Sequence, residues 1–106
     1  MTFSCVSEAI ENGVSIAFTG ELDAATADQS RAAIESVELE AGQRLVLDIS
    51  GLEFMDSTGL RLLIQAQNDA RAGDYELVVV TGDSPAARVI ELTNADAHID
   101  VVKSLG

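Results

Sequence analysis

Between Phe3 and Leu22, apolar and polar residues trade places along the chain. Val14, Ile16 and Phe18 take every second position, with Ser15, Ala17 and Thr19 between them. A period of two predicts a strand with one buried face. Asn12-Gly13 interrupts the pattern with residues suited to positive φ, so a β-hairpin is expected to turn there. From Glu21 the period changes. The stretch "ELDAATADQSRAAIESVEL" sets Ala33, Ser36, Val37 and Glu40 at helical spacing, with Asp23 as the expected N-cap. "RLVLDI" is short, apolar and β-branched, as a strand buried on both faces should be. After "FMDST", the residues Leu60, Leu63, Ile64 and Ala70 mark one helical face, which Gly73 ends. "YELVVVTG" predicts a second central strand. "DSPAARVIELTN" predicts a helix with Ser84 as cap, Pro85 at its first position and Asn94 near its stop. In "HIDVVKSLG" the expectation is a brief strand at His98-Ile99 and a last short helix capped by Asp100.

This order, β-β-α-β-α-β-α-(β-α), predicts an α/β fold. Strands separated by helices pair in parallel through right-handed crossovers, and the first hairpin adds an antiparallel edge. The expected architecture is a mixed four- to five-stranded sheet packed with about four helices. The 106 residues contain no internal repeat or linker, so a single domain over 1–106 is expected. Hydrophobic residues make up 47% but aromatics only 4%, so Val, Ile, Leu and Ala must build the core.

Charge narrows the function more than composition does. Eighteen acidic residues against six basic ones give a net charge of −12, and no Lys or Arg precedes Arg31. Nucleic-acid backbones and anionic membranes both require a basic surface, so neither is an expected direct partner. No run approaches the length of a membrane span, and "MTFSCVSEAI" lacks the features of a signal peptide. Cys5 is the single cysteine, which rules out an internal disulfide. A cytoplasmic setting is expected.

Most catalytic chemistry fails for lack of residues. His98 is the single histidine, and it cannot form a nucleophilic triad or a zinc site with Cys5 alone. There is no GxxxxGK[ST] or GxGxxG loop. Neither an enzyme, a metal nor a cofactor is therefore expected. What stands out is Asp56-Ser57-Thr58-Gly59, between apolar Phe54-Met55 and the helical face beginning at Leu60. Any of the first three residues would serve as a helix N-cap. The same helix end, with unpaired N–H donors and the positive end of the dipole, would also tolerate a phosphate on Ser57. Gly59 suits neither role by itself, since glycine weakens a first turn; it would admit close approach of another backbone or a bulky group.

Three stretches resemble the STAS domains, and among them the stand-alone bacterial anti-sigma factor antagonists. These are "GELDAATA" at 20–27, "LVLDISGLEFMDSTGLRLLI" at 45–64 and "LVVVTGDSPAARVIELT" at 77–93. The middle stretch is the specific one. The resemblance implies a partner switch. The unphosphorylated protein binds an anti-sigma factor that is itself a serine kinase and carries the ATP, which frees the sigma factor. Phosphorylation of the first hydroxyl after the aspartate ends that binding, and a serine phosphatase restores it. The matching acceptor is Ser57, with Thr58 as second choice. Asp56 would position the hydroxyl, Gly59 would permit close approach, and Asp23 would lie on the same surface and meet a basic group of the partner.

Arg61 departs from the small residue that often follows Gly-Leu in this family. Four residues after Ser57, it is placed to pair with a phosphate there or to contact the partner's nucleotide. Two alternatives compete with the switch. One is a STAS module that is never phosphorylated and serves as a scaffold or subunit. The other is a phosphoaspartate receiver, which would need an acidic metal-holding cluster after its first strand, where this chain has Glu11-Asn12-Gly13. A monomer or weak dimer is expected.

Overall fold

The structure, a computed structural model, describes residues 3–105. Five strands and three α-helices follow one another: β1 (Ser4–Ile10), β2 (Gly13–Leu22), α1 (Ala27–Glu35), β3 (Arg44–Met55), α2 (Ser57–Ala72), β4 (Glu76–Val80), α3 (Pro85–Thr93) and β5 (Val101–Val102), with a 3₁₀ turn at Ala95–Ala97. The strands lie in the sheet in chain order, β1-β2-β3-β4-β5. β1 and β2 pair antiparallel and all later pairs are parallel. This is the mixed sheet that the alternation of elements predicts. It is not the doubly wound parallel sheet of a receiver.

Alternate residues of β2, β3 and β4 enter the core. Ile16 and Phe18 of β2, Leu45, Leu47 and Ile49 of β3, and Leu77 and Val79 of β4 join a single buried cluster. Leu62, Leu63, Ala66 and Ala70 of α2 and Ala86 and Ile90 of α3 close it from the helical side. Each Leu or Ile buried in this way stabilises the fold by about 1.5–3 kcal/mol. The cluster is aliphatic apart from Phe18, whose ring meets Phe3 at 6.4 Å.

Several expectations are corrected. The hairpin turns on Asn12, whose φ is +61°. Gly13 serves a different need, because a Cβ there would stand 1.8 Å from the carbonyl oxygen of Arg44 on the neighbouring strand. Helix α1 has Thr26, not Asp23, at its N-cap position, and it ends at Glu35. Three α-helices replace the expected four, since no helix follows Asp100 among the described residues. The last strand is Val101–Val102, beside Val79–Val80. Two β-branched residues met a free sheet edge there, and the Asp100 carbonyl already accepts from Val79 N–H at 2.8 Å. Finally, β3 runs six residues past "RLVLDI". It continues because β2 continues beside it, through register shifts between Ala17 and Thr19 and between Gly20 and Glu21.

Candidate functional site

The site lies where β2 and β3 end together. Leu22 pairs with Met55, and Asp56 N–H donates to the Leu22 carbonyl at 3.3 Å. That bond ties the turn after β2 to the residue that opens α2. Asp56 has extended backbone angles, φ −105° and ψ −170°, and its Oδ1 accepts from Thr58 N–H at 2.9 Å and Gly59 N–H at 3.2 Å. The capping role therefore falls to Asp56. Ser57 becomes the first residue of a 16-residue helix, exposed, and its hydroxyl makes no hydrogen bond among the described residues. Such a hydroxyl at a helix N-terminus is open to a reagent, and its helix end tolerates added negative charge.

Gly59 is buried. A Cβ at this position would lie 2.8 Å from Leu22 Cγ, from the Leu22 carbonyl oxygen and from Met55 Cγ. The close approach expected here is thus made by the chain's own Leu22. It holds the β2 turn against the first turn of α2, and side chains reach solvent around the glycine rather than at it.

Asp23 is brought to the same end, half-buried beside Leu22. It closes its own turn: Ala25 N–H donates to Asp23 Oδ1 at 3.0 Å, while Asp23 N–H donates to Thr26 Oγ1 at 3.1 Å. The Thr26 hydroxyl donates in turn to the Glu21 carbonyl at 2.8 Å. This network, rather than a helix cap, fixes the carboxylate at the rim of the site.

Thr58 and Arg61 face elsewhere. Both line a shallow groove of about 280 Å³ between α1 and α2, together with Arg31, Ile34, Leu62 and Gln65. Thr58 is half-buried there, whereas Ser57 is exposed. Arg61 is exposed, and across the groove Arg31 is held by Asp28 at 2.8 Å. The structure accordingly gathers Asp23, Asp56, Ser57 and Gly59 around one turn and sets Thr58 and Arg61 on the flank facing α1.

Two contributors escape a reading of the sequence. Leu22 looks like ordinary core, but its carbonyl and side chain organise the turn; only the strand register exposes this. Phe54, which an apolar pattern assigns to the interior, is 46% exposed. The cause is a broken phase in β3, where Ser50 and Gly51, then Glu53 and Phe54, are exposed in consecutive pairs. The two register shifts supply that break.

Comparison with known proteins agrees with this architecture. The anti-sigma-F factor antagonist RsfB of Mycobacterium tuberculosis is 34% identical over 101 residues, covering 94% of this chain and 82% of that protein. Among solved structures, an anti-sigma factor antagonist from Mycobacterium paratuberculosis superposes with a TM-score of 0.76 at 24% identity, covering 98% of this chain and 88% of that one. The Bacillus cell fate determinant SpoIIAA in its phosphorylated form gives 0.67 at 19% identity, covering 97% and 93%. The family profile for the STAS domain matches residues 5–106. With that profile spanning nearly the whole sequence and a relative 34% identical over most of both lengths, this chain belongs to the STAS domain family.

Proposed function

We propose that this protein is an anti-sigma factor antagonist operated by phosphorylation of Ser57. In the unphosphorylated form it binds an anti-sigma factor that is a serine kinase, and so releases the sigma factor in the cytoplasm. The kinase transfers phosphate from its own ATP to Ser57 and lets go, and a serine phosphatase returns the protein to the binding form. The protein itself performs no catalysis. The observation that carries this reading is the division of labour at α2: Asp56 supplies the cap, and the Ser57 hydroxyl stands exposed, with no hydrogen bond among the described residues.

Electrostatics give the switch its size. A phosphate adds about −1.5 to −2 charges at neutral pH. It would do so beside Asp56 and Asp23, on a chain of net charge −12. A partner surface packed over Ser57 would have to accommodate a dianion it was not built to solvate. A penalty of about 3 kcal/mol corresponds to a hundredfold loss of affinity. Arg61, one turn along the helix, is the nearest cation in sequence; it lines the α1–α2 groove, so pairing with that phosphate requires its exposed side chain to swing toward Ser57. Thr58, half-buried in the α1–α2 groove, serves as neighbour rather than acceptor.

The test is incubation with the purified anti-sigma factor kinase and ATP, followed by intact mass. One phosphoryl group should be gained by the wild type and by Thr58→Ala, and none by Ser57→Ala. A gain that survives Ser57→Ala, or no gain at all, would sink this reading.

A further inference from the structure

Four aromatic side chains occur in the chain, and three are accounted for by packing. Phe18 is buried, Phe3 lies against it, and Tyr75 is half-buried on the core. Phe54 is the exposed one, three residues before Ser57. Its setting is unusual for an exposed aromatic. Glu21 is its direct cross-strand partner, Glu53 precedes it and Asp56 follows two residues later. Asp23 lies two residues beyond Glu21, and no Lys or Arg occurs within 19–23 or 51–58. The outward turn of Phe54 also has a structural origin, since β2 and β3 are out of simple register immediately before it. An exposed apolar ring in an acidic stretch of chain, paired across the sheet with Glu21 and three residues before an exposed hydroxyl, fits a partner with an apolar hollow and a basic rim. A second copy of this acidic chain would bring like charges together and fits poorly.

We infer that Phe54 is the apolar anchor on which the anti-sigma factor docks, with Glu21, Asp23 and Glu53 facing basic residues around its pocket. This rests on the function proposed above and adds the residue that holds the complex together. It also links anchor and switch. Phe54 and Ser57 stand three residues apart and both are exposed, so a phosphate on Ser57 is introduced close to the proposed contact.

The experiment is a calorimetric titration of the purified anti-sigma factor kinase into wild type, Phe54→Ala, Phe54→Leu and Ser57→Asp, with thermal unfolding of each variant. Phe54→Ala should weaken binding at least about thirtyfold, as truncating a central aromatic anchor does, and Phe54→Leu should keep most of the affinity. The unfolding temperature should stay unchanged, because an exposed side chain contributes little to folding. Should Phe54→Ala unfold, Phe54→Thr preserves strand preference and gives the same comparison. Binding by Phe54→Ala within about threefold of wild type, with Ser57→Asp strongly weakened, would overturn the anchor and leave the switch standing. Undetectable binding by the wild type would overturn the proposed function and the anchor with it. A wild-type dimer that Phe54→Ala dissociates would assign the patch to a second copy and overturn the inference.

Discussion

The Asp56 carboxylate accepts from the Thr58 and Gly59 amides, so its removal leaves two donors of α2 without a partner. Asp56→Ala should cost about 1 kcal/mol, the usual loss for a missing cap. In a domain of this size that is a fall of roughly 4–8 °C in thermal midpoint. Asp56→Asn should recover most of it, since asparagine caps as well as aspartate. Ser57 behaves in the opposite way. Its hydroxyl is exposed and makes no hydrogen bond among the described residues, so Ser57→Ala should change stability by less than about 0.5 kcal/mol while removing the proposed acceptor. If Ser57→Ala destabilised as much as Asp56→Ala, the assignment of the cap to Asp56 alone would fail. At Gly59 the limit is space. A methyl group 2.8 Å from Leu22 Cγ, the Leu22 carbonyl oxygen and Met55 Cγ should cost Gly59→Ala about 1–3 kcal/mol, seen as a lower urea midpoint at unchanged slope.

Among the elements, those with strong periodicity were legible in the sequence. The alternation of Val14, Ile16 and Phe18, the run from Leu45 to Ile49 and the Leu60–Ala70 face all correspond to β2, β3 and α2. What escaped has a common cause. The length of β3, the outward turn of Phe54 and the late start of α1 are set by pairing between β2 and β3 and by the Asp23–Thr26 turn. Those are contacts between segments that local spacing does not encode. At the tail, Val101–Val102 answered to the open edge of β4 rather than to the Asp100 cap. The site was legible as a motif, Asp56 to Gly59, but the division of roles within it needed hydrogen bonds. The junction of α2 and β4 also carries a pH dependence. Tyr75 packs where a Cβ on Gly73 would come within 2.9 Å of its ring, and burial, then the nearby Asp69 charge, raise its phenol above the ordinary value. The unfolded chain therefore ionises first as pH rises, so this contribution is complete below about pH 10 and is lost as pH climbs through the folded value. Tyr75→Phe should show a flatter decline of denaturant midpoint above about pH 10 than the wild type.

For the molecule as a whole, charge and fold divide the work. The aliphatic cluster between sheet and helices includes Leu22 and Met55, which flank the turn, and the net charge of −12 sets the electrostatic field in which the proposed partner would approach. Lys103 illustrates how much of the scarce positive charge is already engaged: it pairs with Asp83 at 2.7 Å, an exposed contact that raises its pKa through that hydrogen bond and adds little to stability. The sheet end around Ser57 is left acidic. Association with a basic anti-sigma factor should consequently slow as salt rises from about 50 to 500 mM, while dissociation changes little. An association rate indifferent to salt would place the partner's contact away from Glu21, Asp23 and Glu53. The most direct measurement is the dissociation constant of the purified anti-sigma factor kinase for this protein, taken before and after complete phosphorylation confirmed by intact mass. The account predicts affinity about a hundredfold weaker after phosphorylation, with Ser57→Ala binding like the unmodified protein. Equal affinities before and after phosphorylation would contradict it.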